Sequence, residues 1–291
     1  MSESSSERPN ERPNERSIEL SNELWTPHKA RVAADFGAAA ATYDQAAQLQ
    51  RAVLAQLLAR LPGAGGKPRT LLDLGCGTGL ALAPLVRHFP GSQLLALDLA
   101  EGMIRHARTG TGTGAGAGTE SGAKAWLVGD AEALPLAAGS VDLVFSSLAI
   151  QWCQKPAILF AELARVLAPG GRLLMSTLVD GTLAELQNAW GAVDPGHRHV
   201  NQFLSPAELG TEVRRLFPQA RIEVLPIQLR YPDLIALLRE LKGLGARYKD
   251  DRQRPAATAP GRLRALERAY ASDASADAGL PATYQVAVIE S

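Results

Sequence analysis

Residues 70–80 read TLLDLGCGTGL, and this stretch decides the fold class of the chain. A short apolar run that meets glycines is typical of a buried parallel strand ending in a tight turn. Gly75, Gly77 and Gly79 let the backbone turn sharply and approach a ligand closely. The following segment, LALAPLVRHF, has helical periodicity. The sequence therefore predicts a strand–loop–helix unit with a ligand site at the loop.

The glycine spacing and two aspartates indicate the kind of ligand. A Walker loop needs Gly-Lys-Ser/Thr, which is absent, and a dinucleotide fingerprint is G-x-G-x-x-G, whereas this loop reads G-x-G-x-G. Asp98 ends the next predicted strand, where a carboxylate can accept both hydroxyls of a ribose. Alone, such an aspartate is more often solvated or helix-capping. Asp130 follows the third strand, where it can accept from an adenine amino group. Together these features predict an adenosine site that S-adenosylmethionine fits.

Predicted strands and helices alternate from residue 70 to residue 178. The strands are TLLDLG, QLLALDL, AWLVGD, VDLVFSS and RLLMSTL, with helices between them. This alternation predicts an α/β fold with a doubly wound, mostly parallel sheet. After residue 178 we expect helices that begin at the N-caps Thr182 and Ser205, a strand at 221–230, a helix at 234–245 and a last strand at 283–290.

The ends and insertions of the chain set the predicted domain boundaries. Residues 1–20 are polar and repeat ERPN, so we expect a disordered tail over residues 1–28. One domain then covers 29–291, with N-terminal helices at 29–66, a cofactor-binding core at 67–180, and a substrate lid with the last strands at 181–291. A helical segment is expected from about Lys29 to Leu61. GTGTGAGAG at 110–118 is expected to be a flexible spacer.

Composition excludes several classes of protein. The 291 residues include 30 Lys+Arg and 30 Asp+Glu, a net charge of +0 that argues against a uniformly basic nucleic-acid binder. Two cysteines, Cys76 and Cys153, do not make a disulfide framework. No apolar run approaches the roughly 18 residues that a bilayer crossing needs. The five histidines lack metal-site spacing, so we expect no metal. A cytoplasmic enzyme or binding protein remains.

Five sequence blocks resemble the class I S-adenosylmethionine-dependent methyltransferases. They are DLGCGTG, LALDLAEGM, GDAEALPL, VDLVFSSLAIQW and LAPGGRLLMST. The resemblance implies a Rossmann-like, seven-stranded, mostly parallel sheet with helical lid insertions. The flanking blocks RVAADFGAAAATYDQAAQLQR, STLVDGTLAELQNAW, LKGLGA and TYQVAVIE resemble the biotin-synthesis methyltransferases. That likeness implies methyl transfer to the free carboxylate of a malonyl thioester on an acyl-carrier protein.

The motifs and the resemblance together give a set of expected site residues. Those expected to bind the cofactor are Asp73, Gly75, Cys76, Gly77, Gly79, Asp98, Leu99, Met103, Asp130, Ala131 and Ser146. Those expected to contact the acceptor or its carrier are Gln151, His199, Asn201, Lys242 and Arg247. Tyr43 and Trp152 are expected to position the acceptor, although both could instead be packing residues. No general base is expected, because a carboxylic acid with an ordinary pKa of about 4 is already ionised at neutral pH.

Two questions stay open at the level of sequence. Residues 211–270 hold 13 Lys+Arg and 7 Asp+Glu, an excess of +6 that is either a solvated face or a docking surface for an acidic acyl-carrier protein. Nucleic acid is disfavoured because no aromatic platform accompanies the charge. The alternative functions are a methyltransferase for a quinone or other small molecule, and a non-catalytic cofactor-binding module. A nicotinamide oxidoreductase is disfavoured by the glycine spacing.

Overall fold

A computed structural model of the protein describes residues 26–63, 67–109, 123–243, 260–271 and 279–291. The predicted tail at 1–20, the glycine spacer at 110–118 and Arg247 lie outside the described residues. None of the helices within the described ranges has the length and apolar character that a membrane crossing requires.

The described strands form one sheet with the order β3-β2-β1-β4-β5-β7-β6. The strands are β1 Thr70–Leu74, β2 Gln93–Asp98, β3 Ala123–Val128, β4 Val141–Ser147, β5 Leu167–Leu178, β6 Arg221–Tyr231 and β7 Leu280–Glu290. Strands β1 to β5 pair in parallel, whereas β7 runs antiparallel to both β5 and β6. The predicted α/β class and mostly parallel seven-stranded sheet are confirmed. Strand order reverses on either side of β1, which opens a crevice at the carboxyl ends of β1 and β4.

Helices cover the sheet and continue past its edge. They are α1 Pro27–Tyr43, α2 Gln48–Leu58, α3 Leu82–His88, α4 Glu101–Arg108, α5 Pro156–Val166, α6 Ala184–Val193, α7 Pro206–Leu216, α8 Leu234–Gly243 and α9 Pro260–Ala271. A short 3₁₀ turn spans Ile150–Trp152 after β4. Strand β1 shows why helices are needed on both sides of the sheet, because Leu71, Leu72 and Leu74 are all buried.

The helical segment predicted from Lys29 to Leu61 consists of two helices, because the chain breaks between α1 and α2. Asp44 fixes the break: its Oδ1 accepts a hydrogen bond from Thr78 Oγ1 at 2.6 Å, and its carbonyl accepts one from Arg51 at 2.6 Å. Thr78 belongs to the glycine loop, so the end of α1 is attached to that loop. Local periodicity does not reveal a break that is made by a contact 34 residues away.

One of the two predicted N-caps is confirmed. Ser205 caps α7 in a reciprocal capping box with Glu208. Thr182 is not a cap: its hydroxyl donates to the carbonyl of Val179 at 2.9 Å and accepts from the N–H of Gln285 at 3.0 Å. Helix α6 begins two residues later, at Ala184. The Thr182 hydroxyl therefore bonds to Gln285 of β7 and does not cap helix α6.

The fifth strand also begins earlier than predicted. Strand β5 starts at Leu167, where it pairs with Val141, and the register then shifts before Leu143 pairs with Arg172. The segment APGG at 168–171 lies inside this irregular part of β5. The glycines accommodate the shift, since Gly170 has a φ of 78°.

Helix α1 reaches the sheet by packing closely on α4. A Cβ built on Gly102 of α4 would lie 2.7 Å from the Cα of Gly37 in α1, which is too close for a real contact. The two helix backbones can approach this closely because Gly102 has no side chain. A Cβ built on Gly37 would lie 3.6 Å from Gly102, which is an ordinary contact.

We expect Gly102→Ala to destabilise the protein by about 1–3 kcal/mol, because the added methyl group forces α1 away from α4. Gly37→Ala is the matched control, and we expect it to be neutral or stabilising by about 0.5–1 kcal/mol, because alanine favours a helix. Urea unfolding measures both free energies. Equal effects of the two substitutions would contradict the close approach at Gly102.

Candidate functional site

A cavity lies at the carboxyl ends of β1, β2, β3 and β4, and we call it the glycine-loop cavity. Helix α1 roofs it with Val32, Ala33 and Phe36, while the glycine loop and the segments after β2 and β3 form its floor. Its empty volume is about 780 Å³, including the part that is open to solvent. The fold therefore places a pocket where the strand order reverses.

Most of the predicted cofactor residues meet at this cavity. Those that line it are Gly75, Gly77, Asp98, Leu99, Met103, Asp130 and Ala131. Asp73 and Cys76 line a small adjoining recess. Gly79 lies behind the loop, where a Cβ would come within 2.9 Å of Leu82, so its role is in the turn. Its φ of 89° supports that role.

The expectation that Ser146 contacts the cofactor does not fit this geometry. Ser146 is fully buried, and its Oγ donates to the carbonyl of Leu74 at 2.7 Å. Side chains alternate along β4, so the neighbouring Ser147 lines the cavity instead. The serine side chain that faces the cavity is thus one position away from the one that sequence reasoning selected.

Asp98 links the floor of the cavity to the glycine loop. Its Oδ2 accepts from the N–H of Gly77 at 2.9 Å, and its Oδ1 accepts from the N–H of Ala100 at 2.7 Å. Burial raises the pKa of Asp98, while the hydrogen bonds from these backbone groups counteract part of that rise. Each carboxylate oxygen keeps a further lone pair, so the side chain can still accept from a ligand hydroxyl.

The adjoining recess, which we call the acidic recess, gathers unpaired polar atoms. Within the described residues, Gln50 Oε1, Asp73 Oδ2 and Ser147 Oγ are buried without a hydrogen-bond partner, and all three residues line this recess. Buried polar atoms are nearly always paired, so these three converging atoms form a polar surface to which a ligand group can bind. Burial, and then the nearby charge of Asp98, raise the pKa of Asp73 to about 8. Sequence reasoning missed Gln50 and Ser147.

A buried ion cluster at the start of α1 was also missed. Lys29 Nζ lies 2.5 Å from Asp130 Oδ2 and 2.6 Å from Glu132 Oε2. Burial opposes a charge on Lys29, but the hydrogen bonds to the two carboxylates outweigh it and raise its pKa. Lys29 shares a helical face with Val32 and Phe36, so a lysine on an apolar face was the available sequence signal. The cluster ties the roof to the loop that carries Asp130.

A second cavity adjoins the first and shares Phe36, Tyr43 and Trp152 with it. The ring centroids of Phe36 and Trp152 lie 5.2 Å apart in an edge-on arrangement, and those of Phe36 and Tyr43 lie 6.3 Å apart. Its empty volume is about 710 Å³. Burial raises the pKa of Tyr43, so its phenol stays protonated at neutral pH. The aromatic residues therefore stand at the junction of the two cavities.

Some of the residues expected to contact the acceptor or its carrier lie together in the second cavity, and others do not. Gln151, His199 and Asn201 line the second cavity. Lys242 instead lines an outer groove between α1 and α8, and its neighbour Leu241 lines the second cavity. The expectation of a direct acceptor contact for Lys242 does not fit this placement.

Neither cysteine has the environment of a nucleophile. Burial raises the pKa of the Cys76 thiol, and the charges of Asp98 and Asp73 add to the rise. Burial does the same for Cys153. Nucleophilic cysteines require a lowered pKa, so Cys76 acts as a small residue of the loop. In the ranges that the structure describes, His, Cys, Asp and Glu side chains form no group able to hold a metal.

The chain is similar in sequence to known methyltransferases. A family model described as "Methyltransferase domain" matches residues 72–175. The chain is 46% identical over 223 residues to the malonyl-[acyl-carrier protein] O-methyltransferase of Methylococcus capsulatus, covering 76% of this chain and 78% of that protein. The chain belongs to the malonyl-[acyl-carrier protein] O-methyltransferase family.

Two further comparisons place this malonyl-[acyl-carrier protein] O-methyltransferase family member among larger and more distant proteins. It is 45% identical over 259 residues to the biotin biosynthesis bifunctional protein BioHC of Cellvibrio japonicus, covering 89% of this chain and 49% of that protein. The crystal structure of the YcgJ protein from Bacillus subtilis matches with a TM-score of 0.53 at 16% identity, covering 82% of this chain and 96% of that chain. The second likeness supports the fold alone.

We expect Lys29→Met to destabilise this family member by about 3–5 kcal/mol, because it leaves the buried carboxylates of Asp130 and Glu132 without a counter-charge. Arg105→Met is the matched control, since the side chains of Arg105 and Glu101 are 72% and 70% exposed. An exposed pair contributes about 0–1 kcal/mol. Urea unfolding of both variants measures the difference, and similar losses would contradict a buried cluster.

Proposed function

We propose that this protein transfers a methyl group from S-adenosylmethionine to the free carboxylate of a malonyl thioester on acyl-carrier protein. The methyl ester would prime synthesis of the pimeloyl precursor of biotin. One observation carries the proposal: two cavities meet at Phe36, Tyr43 and Trp152. Two adjoining cavities suit a reaction that brings a donor and an acceptor end to end. Membership of the family named above supports the choice of acceptor.

The glycine-loop cavity and the acidic recess suit the two ends of S-adenosylmethionine. Asp98 would accept the ribose hydroxyls, and Asp130 would accept from the adenine amino group. Cofactor binding at Asp130 would then share that carboxylate with Lys29. The unpaired oxygens of Gln50, Asp73 and Ser147 would receive the ammonium of the methionine end. Asp98, and Asp73 once it is ionised, also favour a ligand that carries positive charge.

The reaction is an in-line displacement, in which an acceptor carboxylate oxygen bonds to the methyl carbon while the carbon–sulfur bond breaks and its electrons pass to sulfur. No proton moves, so the protein needs no general base. Tyr43 and Trp152 line both cavities, which lets their rings fix the approach of the acceptor. Alignment of this kind is worth roughly 7–11 kcal/mol in favourable cases. The apolar walls Phe36 and Leu148 would keep water from the nucleophile.

The outer groove between α1 and α8 is the proposed docking surface for an acidic acyl-carrier protein. Arg239 and Lys242 line it together with Asp35 and Glu240. Arg239 and Lys242 belong to the segment 211–270, which has an excess of basic residues. Complementary charge would mainly raise the association rate of the carrier. Lys242 is proposed here as a carrier contact.

The proposed reaction is tested with methyl-labelled S-adenosylmethionine and three acceptors: malonyl carrier protein, malonyl coenzyme A and a demethylated quinone. We expect base-labile label on the malonyl thioesters and none on the quinone. The apparent KM for malonyl carrier protein should rise with ionic strength, and less steeply in Arg239→Gln. Label on the quinone alone would establish the alternative methyltransferase, and binding of the cofactor without any transfer would establish the non-catalytic module.

Binding of S-adenosylmethionine should release a proton from Asp73. With a pKa of about 8 in the empty recess, Asp73 is mostly protonated at pH 7. A bound ammonium favours the carboxylate, so affinity should rise as the pH increases from 6 toward 8. Calorimetry in two buffers of different ionisation enthalpy measures the released proton. Asp73→Asn is the control and should release none, whereas a buffer-independent enthalpy in the parent protein would contradict this role of Asp73.

A further inference from the structure

The second cavity has a distinctive distribution of charge. Its described lining residues include no Lys, Arg, Asp or Glu, and most of them are apolar or aromatic. The proposed acceptor brings a carboxylate into this space. A carboxylate that leaves water without a counter-charge or hydrogen-bond donor is strongly disfavoured. His199 is the one described residue of the lining that can carry a positive charge near neutral pH.

Two of the other polar residues of the lining are already engaged with the protein. Gln151 donates from Nε2 to the carbonyl of Leu148 at 2.7 Å. The Thr182 hydroxyl is held by Val179 and Gln285, as described above. Neither side chain carries a charge. They can shape the cavity, but they do not neutralise an anion.

His199 is held in place by two contacts. Its Nε2 lies 2.9 Å from Asp194 Oδ2, and its ring stacks on Trp190 with centroids 3.7 Å apart and planes at 13°. The side chain is only 7% exposed. Because Asp194 is a carboxylate, Nε2 is the donor in this hydrogen bond. Nδ1 makes no hydrogen bond to another described residue, so it is the ring atom left for a ligand.

Asp194 is a charged acceptor beside His199. Hydrogen bonds from His197 and His199 lower the pKa of Asp194, with Arg262 adding to the effect. The same carboxylate is contacted by His197 Nδ1, 2.8 Å from Oδ1, and by Arg262 Nη1, 3.3 Å from Oδ2. A histidine ring that carries a positive charge donates from both nitrogens.

We propose that His199 binds the free carboxylate of the acceptor through Nδ1–H and thereby makes the enzyme select a malonyl thioester over a neutral acyl thioester. One carboxylate oxygen would bind His199, which leaves the other oxygen as the nucleophile. Asp194 and Trp190 act as positioning residues that hold the ring. The inference rests on the proposed function, and it assigns the acceptor specificity to one charged contact.

His199→Gln tests the inference, because glutamine can still bond to Asp194 but carries no charge. His197→Gln is the matched control: it bonds to the same carboxylate, yet its side chain is 52% exposed and lies outside the lining of the cavity. The two readouts are the KM for malonyl coenzyme A at saturating S-adenosylmethionine, and the binding of malonyl coenzyme A relative to acetyl coenzyme A. His199→Phe, which keeps a ring on Trp190, and the melting temperature of each variant guard against a folding defect.

We expect His199→Gln and His199→Phe to raise the KM for malonyl coenzyme A by about ten- to a hundredfold and to remove the preference for malonyl over acetyl coenzyme A, because a charge-assisted hydrogen bond is lost. His197→Gln should leave both unchanged. Folded variants that keep the KM and the preference of the parent would overturn the inference alone. A parent protein that binds S-adenosylmethionine but leaves malonyl coenzyme A and malonyl carrier protein unmethylated would overturn the proposed function and this inference with it.

Discussion

The reversal of strand order beside β1 is the constraint on which the site depends. Strands β2 and β4 lie on opposite sides of β1, so the connections from their carboxyl ends diverge and leave a crevice. The glycine loop after β1 and the turns after β2, β3 and β4 all open into it. Each element contributes one short group, such as the N–H of Gly77 or the carboxylate of Asp98. The crevice becomes an enclosed site only where a further element, helix α1, packs over it.

Helix α1 provides the cover, and three different contacts hold it. Lys29 forms the ion cluster with Asp130 and Glu132 at its start, Gly37 meets Gly102 in its middle, and Asp44 accepts from the glycine loop just past its end. The first contact is buried and charged, so breaking one partner is costly. The second depends on an absent side chain, and the third on a buried hydrogen bond. The helix is thus attached to the loops that form the proposed cofactor site.

Charge differs between the spaces that meet at the aromatic junction. Asp73, Asp98 and Asp130 line the glycine-loop cavity and its recess, with Lys29 paired to Asp130, whereas the described lining of the second cavity holds His199 and no acid. A donor with a sulfonium and an ammonium matches the first arrangement, and an acceptor with a carboxylate matches the second. The reacting charges are opposite, so such a division would orient each partner before it reaches Tyr43 and Trp152. Burial of these groups strengthens the effect, because charges interact more strongly away from water.

Sequence alone determined the features that depend on local periodicity and on turn chemistry. The alternation of strands and helices, the glycine turn, and the position of Asp98 and Asp130 at strand ends all follow from patterns within a few residues. Tertiary structure decided the rest. It turned the side chain of Ser147 and not that of Ser146 toward the cavity, linked Thr182 to β7, placed the break between α1 and α2 at Asp44, and paired Lys29 with an aspartate 101 residues away. These outcomes depend on which side chains packing brings together, and no local pattern encodes contacts between segments that are distant in the chain.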